Sequence, residues 1–96
     1  AEVSLTGFAG AEKIISGQID RLLVAEKTVL VVDYKTNRPP PARAEDVPAI
    51  YLKQMSAYRQ LLRNIYPGKE IKCALLWTDV PVLMALSDAL LDPYSP

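Results

Sequence analysis

Histidine is absent from the 96 residues, which excludes imidazole zinc sites and histidine-based nucleophilic triads within the chain. The single cysteine, Cys73, excludes an internal disulfide, a cysteine-built metal cluster and a four-cysteine iron–sulfur site. Set in the apolar run Ile71 to Trp77, it reads as a small buried hydrophobe. No apolar run reaches the roughly 20 residues of a bilayer-spanning helix, and no basic-then-apolar leader is visible. The expectations are therefore no membrane anchor and cytoplasmic residence. A phosphate loop of the form Gly-x-x-x-x-Gly-Lys-Ser/Thr is also missing, so ATPase chemistry is not expected here. Net charge is lacking too: 11 Lys and Arg balance 11 Asp and Glu. Taken alone, that balance argues against a nucleic-acid partner.

Half of the residues are hydrophobic, enough for one small core, and a single domain over residues 1–96 is expected. The chain opens at Ala1 in a strand-like segment, and reads as a piece of something longer. Its charge is unevenly spread. Residues 35–63 carry Lys35, Arg38, Arg43, Lys53, Arg59 and Arg63 against Glu45 and Asp46, a local excess of four positive charges. Arg38, Arg43, Lys53 and Arg59 are the candidate contacts to a phosphate backbone. A solvated helix face explains the same charges equally well.

Pattern and punctuation predict a mixed α/β fold. Glu2 to Leu5 reads as a short strand, Gly7 to Gly10 as a flexible break, and Lys13 to Val24 and Thr28 to Lys35 as the strands of a hairpin. The Asp20 face of the first strand is polar and is expected to line a cleft. Pro39-Pro40-Pro41 removes amide donors and reads as a rigid connector. A helix should start near Asp46, capped by its carboxylate with Pro48 in the first turn, and stop at Pro67-Gly68. Tyr51, Gln54, Tyr58, Leu61 or Leu62, and Ile65 recur along one face of it. Gln54 is the polar exception in that stripe and needs a partner, for which Tyr58 stands one turn later. Ile71 to Trp77 then reads as a buried strand, Val82 to Leu86 as an edge strand, and Ser87 to Leu91 as a short helix capped by Ser87 or Asp88.

The hairpin carries the chemistry. Side chains alternate in a strand, so Asp33 and Lys35 share a face that Tyr34 does not. A tight turn at Glu26-Lys27 pairs Ala25 with Thr28 and, counting back, Asp20 with Asp33, with their Cβ atoms about 5 Å apart. A slip of one residue would send the two acids to opposite faces, and Glu-Lys is not a favoured type I′ turn pair. Opposed carboxylates repel and call for a counter-ion. A hard cation such as Mg²⁺ fits, held by Asp20, Asp33 and the main-chain carbonyl of Tyr34. Such an ion would acidify water and share a scissile phosphate. Lys35 would orient or deprotonate the attacking water and balance developing charge. Gln54 and Tyr58, from the adjoining helix, would position the lysine, the water or a phosphate.

Gly-x-Ile-Asp-Arg-Leu, Val-Val-Asp-Tyr-Lys-Thr-Asn-Arg-Pro-Pro-Pro, Tyr-Leu-Lys-Gln-Met-x-x-Tyr and Ala-Leu-Leu-Trp-Thr-Asp, in that order, resemble the C-terminal nuclease domains of AddA helicase-nucleases. These are related to the RecB nuclease domain and the restriction-endonuclease-like PD-(D/E)XK superfamily. The resemblance spans essentially the whole chain. It implies a restriction-endonuclease-like α/β core with a mixed central sheet, lacking the helix that usually precedes the first strand and adds another site residue. By the same resemblance Asp20 and Asp33 are metal ligands, Lys35 is the catalytic lysine, and Gln54 and Tyr58 are motif residues near the site. It further implies Mg²⁺, replaceable by Mn²⁺, a DNA substrate met in double-strand break repair, and an AddB-like partner subunit reached through a parent protein that supplies the helicase. Glu2 is a candidate for the further acidic residue. Two other readings stand beside this one: a nuclease-like module that binds DNA or a subunit without cutting, and a structural α/β domain with no site.

Overall fold

In the computed structural model, residues 19–95 are described. Within them lie β1 (Arg21–Val24), β2 (Thr28–Lys35), α1 (Ala49–Ile65), β3 (Glu70–Trp77), β4 (Val82–Leu86) and α2 (Asp88–Leu91), with short 3-10 turns at Ala44–Asp46 and Asp92–Tyr94. The strands expected at 1–18 and the Gly7 to Gly10 break lie outside the described residues.

The four strands form one mixed sheet in the order β1-β2-β3-β4. β2 is parallel to β3 and antiparallel to β1, and β4 is antiparallel to β3. A parallel pair needs a crossover, and α1 supplies it. Alternation places Val29 and Val31 of β2 on the α1 side, both fully buried against Leu52, Met55, Tyr58 and Leu62 of the helix. Ile71, Cys73, Leu75 and Trp77 of β3 continue that core layer. Cys73 is buried, and its thiol is pushed up to about 12 by desolvation, as suits a packing residue. No helix among the described residues is long and apolar enough to cross a membrane.

Two local expectations are corrected. The long helix begins at Ala49, with Pro48 at its N-cap and no side-chain cap. A residue before proline is driven to extended backbone, and Val47 adopts φ −64° and ψ 135°, which separates Asp46 from the helix. Asp46 turns instead to Arg43, at 3.2 Å. The first hairpin strand also stops short. Its ladder begins at Arg21, so Ile19 and Asp20 lie just outside it. The Asp20 face, moreover, is no separate cleft, because it continues through buried Leu22 into the core. The short C-terminal helix follows the expected cap, the Ser87 hydroxyl accepting the Leu90 amide at 3.2 Å.

Candidate active site

Hairpin register decides where the acids fall. Ala25 N–H donates to the Thr28 carbonyl at 2.8 Å, closing the turn at Glu26-Lys27, and the ladder runs from Val24 opposite Val29 to Arg21 opposite Val32. None of the described non-glycine residues has positive φ, so this turn is not type I′. One step beyond the ladder, Asp20 comes opposite Asp33, on the same face. Its Oδ2 accepts the Tyr34 backbone N–H at 2.8 Å, so a side chain replaces the next ladder bond. The Lys35 carbonyl points the other way, accepting Thr78 N–H at 2.9 Å beyond β3. Strand alternation therefore leaves the Tyr34 carbonyl on the Asp20 side.

Asp33 is only 4% exposed. Burial, joined by a hydrogen bond shared with Asp20, pushes its carboxyl up to about 6, although Lys35 pulls it down. Asp20 moves below the usual carboxylate range, held there by the bond with Asp33, the Tyr34 amide and the Lys35 charge against a smaller desolvation penalty. Below about pH 6, therefore, Asp33 carries a proton while Asp20 stays charged, and above it both acids are charged.

Lys35 stands over this pair. Its Nζ is 2.9 Å from Asp33 Oδ2, yet off the line a hydrogen bond needs, which leaves that buried oxygen without a hydrogen-bond partner. The ammonium donates to Gln54 Oε1 at 3.3 Å and lies 4.2 Å from the centre of the Tyr51 ring. Gln54 Nε2 in turn donates to Tyr58 Oη at 2.9 Å, joining residues one helical turn apart. Tyr58 is pushed up to about 12 by burial and by the neighbouring Asp33 charge, and keeps its proton through neutral pH. All five polar side chains expected at the site are therefore tied together, directly or through a neighbour.

The donor set suits a hard divalent cation. It offers two opposed carboxylates, a carbonyl on the same side and an anionic oxygen with spare hydrogen-bonding capacity. Among the described residues no third acidic, histidine or cysteine side chain joins them, and Glu2 lies outside those residues. A shallow cleft lined by Lys72, Ala85, Ser87 and Asp88 sits at the other end of β3 from Trp77, away from the acids.

The basic residues divide. Arg38 is largely exposed and pairs with Asp79 at 2.9 Å, Arg43 is exposed beside Asp46, and Lys53 is exposed. Arg59 corrects the expectation, for its side chain is 1% exposed and bonded to Asp88, Asp92 and Ser95, where no phosphate reaches it. Tyr51, read in the sequence as part of the helix stripe and as the first residue of the Tyr-Leu-Lys-Gln-Met-x-x-Tyr motif, was missed as a neighbour of Lys35. Its place three residues before Gln54, on the same helix face, was the available signal.

Compared with known proteins, the chain matches the family model described as PD-(D/E)XK nuclease superfamily over residues 1–84. No curated protein and no solved structure matches it.

Proposed function

The chain belongs to the PD-(D/E)XK nuclease superfamily, and from that premise we propose that it is a Mg²⁺-dependent deoxyribonuclease domain of the AddA-like kind. It hydrolyses phosphodiester bonds during the processing of broken DNA ends, inside a cytoplasmic helicase-nuclease with an AddB-like partner. The observation that carries this reading is the convergence of Asp20, Asp33 and Lys35, with the buried Asp33 carboxylate 2.9 Å from the Lys35 ammonium.

In this reading Asp20, Asp33 and the Tyr34 carbonyl hold the cation, with Mn²⁺ an acceptable substitute. A bound cation supplies Lewis acidity toward water and the scissile phosphate. Asp20 is aimed by the Tyr34 amide, and Asp33 by the strand itself. Lys35, an ammonium on the Asp33 face, orients the attacking water and offsets negative charge that grows on the phosphate oxygens. Gln54 accepts from Lys35 and donates to Tyr58, which fixes the amide's orientation and with it the direction of the amine. Arg38, Arg43 and Lys53 are the basic groups left to meet the DNA backbone.

Calorimetric titration with Mg²⁺ and Mn²⁺ tests the ligand set. Saturable binding is expected for the wild type and its loss in Asp33→Ala, whereas no binding by either points to a nuclease-like module that does not cut or to a structural domain with no site. Cleavage of linear duplex DNA by the longer parent protein tests the lysine: Lys35→Ala should lower the rate by about a hundredfold or more. Equal rates would remove Lys35 from the chemistry.

A further inference from the structure

We propose that Tyr51 is the positioning residue of Lys35: its ring is a fixed plate that holds the ammonium over the acids. The proposal rests on the nuclease reading for its catalytic consequence, but not for its geometry. Lysine is a point charge on a flexible four-carbon stem, so an effective amine needs contacts that restrict it. Three surround Lys35 Nζ: Asp33 Oδ2 at 2.9 Å, Gln54 Oε1 at 3.3 Å and the Tyr51 ring centre at 4.2 Å. The first is the one a bound cation competes for, since both seek the same carboxylate. The ring face competes with nothing, and a cation at that distance is attracted by its negative quadrupole.

Tyr51 is itself held at two points. Its Oη donates to Asn37 Oδ1 at 3.0 Å, two residues beyond Lys35, so the hydroxyl is spent on the loop leaving β2. Its ring leans on Trp77, with centres 6.4 Å apart and planes at 46°. Trp77 is fully buried and is the register partner of Lys35 across the parallel pair. The ring that carries the amine is thus backed by the strand beside that amine. Tyr51 and Gln54, three residues apart on α1, grip the ammonium from one helix face. The ring does the positioning, while the hydroxyl only anchors the ring.

Three proteins test this: wild type, Tyr51→Phe and Tyr51→Leu, each with circular dichroism as a fold check. NMR of the metal-free chain reads the geometry directly, because an aromatic ring at this range shifts the Lys35 ε-methylene protons upfield. The shift is expected in wild type and Tyr51→Phe and absent in Tyr51→Leu. In single-turnover cleavage with Mn²⁺, Tyr51→Leu should slow roughly tenfold while Mn²⁺ affinity and KM for DNA stay unchanged. Tyr51→Phe should recover to within about threefold of wild type on the same scale. The proposal is overturned by a wild-type spectrum without the shift, which needs no variant to fold, or by equal loss in Phe and Leu. A change confined to KM overturns it as well. A parent protein, carrying this domain unaltered, that cuts no DNA with Mn²⁺ sinks the nuclease reading instead, and the ring-current comparison still decides the placement of Tyr51.

Discussion

Asp33 shows how much one buried acid costs the metal-free fold. Its carboxyl sits near 6 in the folded chain against 3.8 for the free group, so the folded state binds this proton more tightly than the unfolded state does. The stabilisation is complete below the unfolded value and is lost as pH rises through about 6. Two pKa units are worth about 3 kcal/mol, of which the oppositely shifted Asp20 returns part. Urea unfolding in a chelator should therefore show wild type losing stability relative to Asp33→Asn between pH 4.5 and 7.5. A flat difference would mean that Asp33 ionises freely. On the proposed reading that strain is the signature of a site for a positive guest, since the same groups that repel one another attract a cation.

Among the elements, α1 serves two masters. One face presents Tyr51, Gln54 and Tyr58 to the site, while Arg59, next in sequence to Tyr58, ties the helix to the C-terminal segment. Its guanidinium donates to Asp88 at 2.7 Å, Asp92 at 2.9 Å and the Ser95 hydroxyl at 3.0 Å. Burial opposes its charge, but the hydrogen bonds to the two aspartates outweigh that and raise its pKa. Arg59→Met keeps the apolar stem and deletes the fork, and should cost about 2 kcal/mol, read from urea midpoints. Faster amide exchange is expected across 88–95 while the hairpin stays protected. Uniform exchange throughout would show that Arg59 supports the whole domain rather than its C-terminal clasp. Charge counting along the sequence took Arg59 for a surface residue, because its partners lie 29 and 33 positions away and no local pattern announces them.

At the scale of the whole molecule, the site lies at the carboxyl ends of the parallel pair, where Lys35 of β2 stands beside Trp77 of β3. Ligand sites favour such ends in α/β sheets, because the strands deliver side chains and the connecting helix closes over them. Binding there should stabilise the entire fold by linkage. At free Mn²⁺ a hundredfold above its dissociation constant, the gain is about 2.7 kcal/mol, seen as a rise in Tm at pH 7.5. Asp33→Asn should raise the metal-free Tm and abolish the rise. An equal Mn²⁺ effect in both proteins would place the cation elsewhere on the surface.

Alternation alone carried the two-strand reading a long way. A side-chain period of two, with a two-residue turn, put Asp20 opposite Asp33 and Lys35 beside it, and the Thr28 to Lys35 strand needed no tertiary information. The helix stripe likewise placed Gln54 next to Tyr58. The start of that helix was misread, since the extended bias imposed by Pro48 outweighed the capping potential of Asp46. What the tertiary structure decided was burial and partnership across distance: that Asp33 is nearly dry, that Tyr51 closes over Lys35, and that Arg59 turns away from solvent. The division has a physical origin. Backbone periodicity is a local property written into consecutive residues, whereas desolvation and charge pairing depend on which distant surfaces the fold brings together.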